Sequence, residues 1–495
     1  MVDYIPKYKM FNHQKSVFLE SRNREYFALL MEMGTGKTKV TIDTACWLYS
    51  QGKIDAVLVI CPNGLNPMWV EQCKEHIPDY IQYEAAYYRS SMNKQEERNL
   101  CRVLESDAEM KVVSMNIEAI VTQKGVNFAK NFLISYRTIL VVDESSVIKN
   151  PKAQRTKNLL KLSVHAKYRR ILTGTPVTQG PLDLFTQFSF LDAHILHTSS
   201  YYAFRNRYAV MKEIRTAGRS FQTVVGYQNI EELQKLISPH SYLVKKSECL
   251  DLPEKLYTKR YVTLSESQQK LYNSLKKDIV VELNGMVMSA PLALTKILRL
   301  QQIVGGFFVP DEEAWMCDEL YEMNDITDYK PKPIDKVNPR VESLIDLLGE
   351  TGDKAIIWAR FRSEISAISE RIREEFGDKA VVEYHGGIEP SKRNDNVTNF
   401  QNDPEVRYFI GHVQAGGKGL TLHAASTVVY FSNNFSLEDR LQSEDRAHRI
   451  GQTKNVTYID IIAQNTIDEK IVKALRDKKE IADVITEAGS VADWI

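Results

Sequence analysis

Positions 31–38 read MEMGTGKT, a spacing of glycine, lysine and threonine that can hold a polyphosphate. Glycines in such a loop let successive backbone N–H groups, here those of Met33, Gly34, Thr35 and Gly36, converge on phosphate oxygens at a helix N-terminus. Lys37 would then reach the β and γ phosphates, and the Thr38 hydroxyl would ligate a magnesium ion. Met31 stands where the general pattern has its first glycine, and a chance turn is the competing reading of the bare match. TILVVDE at 138–144 adds two carboxylates, Asp143 and Glu144, at the end of a strand. Ligands gather at that edge of open α/β sheets. Asp143 would hold magnesium through water, and Glu144 would polarise the water that attacks the γ phosphate. An acidic pair at a strand end is often only a solvated turn, but together with GTGKT upstream it points to nucleotide hydrolysis. LTGTP at 172–176 follows another strand-like run, so Thr173 and Thr175 either sense the nucleotide or form a plain turn.

These residues need rigid elements to hold them. Short β-branched runs, AVLVICP at 56–62, KVVSM at 111–115, TILVVDE and RRILTGT at 169–175, alternate with amphipathic stretches. That rhythm predicts a parallel sheet covered on both faces. From about 190 to 310 the apolar spacing becomes largely helical, followed by an acidic and then proline-punctuated stretch around 311–333 that reads as a linker. Strand-like runs resume at 354–360, 380–387, 406–413, 426–432 and 455–463, predicting a second α/β lobe. The expected fold class is α/β, with two RecA-like lobes built on parallel sheets, helical protrusions and a C-terminal helical brace. The expected division is lobe 1 over 1–252 with a helical insertion about 190–240, a helical protrusion and linker over 253–335, lobe 2 over 336–465, and the brace over 466–495.

In the second lobe, AGGKGLTL at 415–422 lacks the helix and partner acids of a phosphate loop and reads as a tight turn. QSEDRAHRIGQ at 442–452 places Gln442, Arg446 and Arg449 on one helix face at spacings of four and three. Two such arginines are either ordinary surface charges or arginine fingers.

The 495 residues carry 64 Lys plus Arg against 64 Asp plus Glu, so net charge supplies no long-range pull toward a polyanion. Lys149 to Arg170, with eight basic residues and no acidic one, is the best local candidate, and a solvated helix face is its alternative. Six cysteines (Cys46, Cys61, Cys73, Cys101, Cys249 and Cys317) form no CxxC pair, which argues against a zinc cage or a disulfide framework. The N-terminus lacks a secretory apolar core, and no run reaches the roughly 18 apolar residues of a membrane span. The expectation is a soluble intracellular protein with no membrane association.

HQ at 13–14, MGTGKT, CPNGLNPMWVEQCKE at 61–75, DESSVIKN, LTGTPVTQGPLDLF, LVKKSECLDLPEK, YHGG, AGGKGL and QSEDRAHRIGQ, taken in order, resemble the Swi/Snf family of superfamily-two helicase-like translocases. The resemblance implies a DNA-dependent ATPase that uses ATP and Mg2+, moves along double-stranded DNA and works as a monomeric motor. Gln14 looks like the family's adenine-recognising glutamine, and Arg446 and Arg449 look like its arginine fingers. Gln442, Gly417 and Gly419 match positions lining its nucleotide cleft. DNA-backbone contacts would fall at Pro62, Asn63, Ser114, Lys149, Arg360 and Lys418. DESS stands in place of the usual DExH, with Ser146 at the histidine position. A motor with so little beside it fits DNA repair, recombination, replication or clearing of bound proteins. It would reside in the cytoplasm on nucleoid or viral DNA, or in the nucleus of a eukaryotic host. A strand-separating helicase and a nucleotide-gated DNA clamp without turnover are the rival readings.

Overall fold

A computed structural model describes residues 4–62, 65–106, 110–216, 219–285, 290–308, 331–416 and 420–487. Contacts divide the chain into two units. The first holds Met1–Glu213, Gln222–Asp251 and Lys478–Ile495, and the second holds Ile214–Phe221 and Leu252–Asp477.

The first unit is built on a seven-stranded sheet. Its strands are β1 (Tyr26–Met31), β2 (Ala56–Cys61), β3 (Tyr83–Tyr88), β4 (Met110–Asn116), β5 (Thr138–Asp143), β6 (Tyr168–Leu172) and β9 (Ser241–Val244), in the order β3-β4-β2-β5-β6-β1-β9. Every pairing is parallel. AVLVIC and TILVVD are buried at every position, as strands covered on both faces must be. Val57, Val59, Ile139 and Val141 pack with Val40, Cys46, Trp69 and Cys73 from flanking helices. Arg170, in β6, is fully buried and donates to the carbonyls of Ser21, Arg24, Glu25 and Arg169 at 2.8–3.0 Å. It thereby satisfies the C-terminal end of the helix Asn12–Ser21, whose last carbonyls have no partner inside the helix.

The tract expected to be a helical insertion is mixed. Helices Leu184–Leu191, Tyr201–Tyr208 and Ile230–Ile237 flank a two-stranded sheet of β7 (Ala209–Thr216) and β8 (Arg219–Tyr227). The two strands alternate too weakly in polarity to announce themselves.

The second unit carries a six-stranded sheet of β10 (Lys255–Val262), β13 (Ala355–Ala359), β14 (Val381–Tyr384), β15 (Tyr408–His412), β16 (Thr427–Tyr430) and β17 (Val456–Ala463). The order is β10-β17-β16-β13-β15-β14, again parallel throughout. A small pair, β11 (Phe307–Phe308) and β12 (Lys332–Pro333), is antiparallel. Side chains of β13 alternate between two cores: Ala355, Ile357 and Ala359 join one, and Ile356 and Trp358 the other. β10 lies within the span expected to be a helical protrusion. As an edge strand with largely exposed side chains, KLYTKRYV lacks the apolar alternation that reveals a strand. Helices Glu266–Gly285 and Ala290–Val304 follow it, and Ile467–Glu487 forms the last helix. The acidic segment 311–328 lies outside the described residues.

Candidate nucleotide site

The loop between β1 and the helix Lys37–Ser50 bends through two left-handed glycines, Gly34 (φ 83°) and Gly36 (φ 94°). At Gly36 the dihedral demands glycine, and a Cβ would lie 2.2 Å from Gln14 Nε2, so any other residue would also displace the Gln14 amide. Gln14 is buried against the loop: its Nε2 donates to Thr35 O at 3.1 Å, and its Oε1 accepts from Phe11 N–H at 3.1 Å. His13 Nε2 is 2.9 Å from the same Thr35 carbonyl. Met31, at the position of the missing first glycine, is the last residue of β1 and needs no special backbone angle. Its carbonyl accepts from Lys37 Nζ at 2.9 Å. Met33 lies in the loop, and Thr38 in the first helical turn.

Two strands away, β5 ends at Asp143. Burial pushes its carboxyl above the usual carboxylate range, opposed by the Trp69 indole, which donates to Oδ2 at 2.9 Å, and by the charge of Lys37. Glu144 is buried and left-handed (φ 49°), an uncommon state for a side-chain-bearing residue. Ser145 and Ser146 follow, both buried.

β6 runs between β5 and β1, and its LTGTP turn meets the phosphate loop directly. A Cβ on Gly174 would lie 3.1–3.3 Å from Met33 N, Glu32 Cα and Met31 O. Thr173 Oγ1 accepts from Thr175 N–H at 3.0 Å, while the buried Thr175 Oγ1 has no partner among the described residues. The carboxyl edge of one sheet thus collects a cradle of N–H groups, a lysine, two carboxylates and hydroxyls. Thr38 and Asp143 offer the hard oxygen donors that magnesium takes, and the orphaned Thr175 hydroxyl fits a further polar ligand. The residues therefore fit a nucleoside triphosphate with magnesium.

In the second unit, the helix Leu437–Ala447 buries Gln442 and Arg446. Arg446 donates to Leu420 O at 3.2 Å. Arg449 donates to the same carbonyl and to Thr421 Oγ1, both at 2.9 Å. Gln442 Nε2 donates to Glu438 Oε1 at 3.3 Å. The helix is anchored by the buried Glu444, which accepts from Tyr257 OH at 2.7 Å and Arg440 Nε at 3.0 Å, with Lys255 Nζ at 3.4 Å. Burial pushes that carboxyl up, but Lys255 and Arg440 outweigh it and leave Glu444 below its ordinary range. Arg440 also pairs with Asp460 at 2.5 Å and lies 3.4 Å above the Tyr430 ring centroid.

Of the residues matched to DNA contacts, Pro62 directly follows β2, and Ser114 in β4 donates its hydroxyl to Asn66 O at 3.0 Å. Lys149 Nζ donates to Thr178 Oγ1 at 2.5 Å, and the Arg360 side chain meets Gln301 Oε1. Asn63, Gly417, Lys418 and Gly419 lie outside the described residues. The basic run is not one surface. Arg170 is internal, Arg169 lies 4.4 Å over the Tyr26 ring centroid, and Lys167 pairs with Glu25 at 3.3 Å. Trp69 escaped the sequence reading because its partner, Asp143, lies 74 residues away.

A glycine-built phosphate loop beside an acidic strand end defines a P-loop nucleotide hydrolase, and comparison with known proteins narrows the class. Residues 17–305 match the SNF2-related domain, and residues 339–451 match the helicase conserved C-terminal domain. The chain is 26% identical to a Xenopus tropicalis SWI/SNF-related matrix-associated actin-dependent regulator of chromatin, subfamily A, containing DEAD/H box 1, over 92% of this chain and 48% of that protein. It is also 26% identical to an uncharacterized ATP-dependent helicase of Mycoplasma genitalium, over 91% of this chain and 39% of that protein. A solved Sulfolobus solfataricus SWI2/SNF2 ATPase core in complex with dsDNA aligns over 99% of this chain and 95% of that one, with a TM-score of 0.43 and 23% identity. The chain belongs to the SNF2-related family of helicase-like ATPases. It spans less than half the length of the two curated relatives just named.

Proposed function

We propose that this protein hydrolyses ATP in response to double-stranded DNA and uses the cycle to move along the duplex without separating its strands. The observation that carries the reading is the meeting, on one sheet edge, of the phosphate loop, the Asp143–Glu144 pair and the LTGTP turn. Lys37 and the loop N–H groups bind and orient the triphosphate. Asp143 and Thr38 hold magnesium, which when bound neutralises charge developing on the transferred phosphoryl group. Glu144 orients the attacking water and draws on its proton. Gln14 reads the adenine, and Arg446 and Arg449 supply positive charge at the γ phosphate in the closed, ATP-bound state. Gln442, Gly417 and Gly419 line the nucleotide cleft. Pro62, Asn63, Ser114, Lys149, Arg360 and Lys418 hold the phosphate backbone, so base identity matters little. ATP favours the closed state through contacts that only that state makes, and hydrolysis removes them.

Such a motor suits DNA repair, recombination, replication or displacement of bound proteins, and would be associated with DNA in the cell. Among the described residues, no helix is long and apolar enough to cross a membrane.

Comparing ATPase stimulation by duplex DNA, single-stranded DNA and RNA tests the proposal. Duplex DNA is expected to stimulate most, and a preference for single strands would replace translocation with strand separation. Lys37→Ala and Glu144→Gln are each expected to abolish turnover. Substituting Arg446 or Arg449 should leave ATP binding intact while cutting turnover by about 10³-fold.

A further inference from the structure

The turn that follows β5 is gripped at both ends by one short helix, Leu184–Leu191. Ser145 Oγ donates to Gln187 Oε1 at 2.7 Å, and Thr186 Oγ1 donates to Ile148 O at 2.6 Å. The same Gln187 reaches the turn that follows β6: its Nε2 donates to Pro176 O, and to Asp183 O, at 2.8 Å each. Asp183, just before the helix, accepts from Thr178 N–H, Thr178 Oγ1 and Gln179 N–H at 2.8–3.0 Å. Ser145 and Gln187 are both fully buried.

Packing alone gives no reason for an amide there. The helix reads LFTQFSFL, and an apolar side chain of the same volume would fill the space but strand the buried Ser145 hydroxyl and the Pro176 carbonyl. What the amide adds is a link. Ser145 is the residue after Glu144, whose left-handed backbone leaves the direction of its carboxylate sensitive to any shift of the turn. Pro176 is the residue after Thr175.

We infer that Gln187 is a positioning residue for ATP hydrolysis, holding the turn that carries Glu144 and the turn that carries Thr173 and Thr175 in one shared orientation. The inference rests on reading the site as an ATPase. Gln187 acts through Ser145 and Pro176 and touches no reacting atom. Among the described residues, Gln187 is one of two side-chain links between the turns, the other being Lys149 Nζ to Thr178 Oγ1 at 2.5 Å.

The test compares Gln187→Leu, Ser145→Ala and the double variant with the parent, in the full chain. With duplex DNA and Mg·ATP, each single variant is expected to lower kcat about tenfold while KM for ATP stays within about twofold. The double is expected to be no slower than the slower single, because both changes break one link. Hydrogen exchange without nucleotide is expected to quicken about threefold or more in 143–149 and 173–179 together in Gln187→Leu. Turnover within twofold of the parent, losses that multiply in the double, or quickened exchange in only one turn would each overturn the inference. If Gln187→Leu does not fold, Ser145→Ala decides alone, and an unchanged kcat there is fatal. An inactive parent whose two turns still loosen together would count against the ATPase reading and for the link.

Discussion

At the scale of single residues, the site turns on a carboxylate that burial works to neutralise. In its proposed role Asp143 would have to be charged to hold magnesium, yet desolvation raises its proton affinity, and the Trp69 indole N–H opposes this by favouring the charged form. The direction of the consequence follows. Because the folded state binds this proton more tightly than the unfolded chain, Asp143 supports stability in acid, and that support is lost as pH rises through the raised value. Turnover has the opposite demand, because it needs the charged form and so declines toward acid pH. Removing the indole donor in Trp69→Phe raises the proton affinity further, so the acid limb of the pH–rate profile should move toward neutrality. Turnover relative to the parent is expected to fall progressively as pH is lowered and to approach the parent's at alkaline pH. An acid limb that does not move would show that the indole serves packing alone.

At the scale of elements, the phosphate loop was legible because backbone geometry restricts which residue can serve. Gly36→Ala is expected to weaken ATP binding by about tenfold or more, since the new methyl meets Gln14 and the positive φ costs about 1–2 kcal/mol. Gln14→Ala in the same chain should not restore binding, because the dihedral remains. Gly52, also left-handed (φ 65°) but with open space around it, is the control: Gly52→Ala should cost about 1 kcal/mol in urea denaturation and leave ATP binding unchanged. The acidic pair was legible for a similar reason, as it ends an apolar strand. The indole of Trp69 and the amide of Gln187 were not, because their partners lie 74 and 42 residues away and leave no local spacing to read. Arg169 and Arg170 looked like part of a charged face only because a list of charges does not show which ones β6 turns inward.

At the scale of the whole molecule, two units with separate apolar cores predict two calorimetric unfolding transitions. Arg170→Met, which removes the guanidinium donors from four backbone carbonyls, two of which keep a backbone N–H partner, should lower one by about 2 kcal/mol and leave the other in place. A single merged transition would show that the units unfold as one. The two parallel sheets were legible from the strand rhythm, whereas the membership of β10 in the second was not. That strand has a further consequence. It occupies residues 255–262 and pairs in parallel register with residues 456–463. During synthesis its partner emerges about 200 residues later, a delay of about 10–40 s at ordinary ribosome speeds. Through that interval the first strand of the sheet, with Leu256, Tyr257 and Tyr261 open to solvent even in the finished fold, waits without the strand it pairs with. Nascent chains are therefore expected to depend on chaperone shelter longest over this stretch.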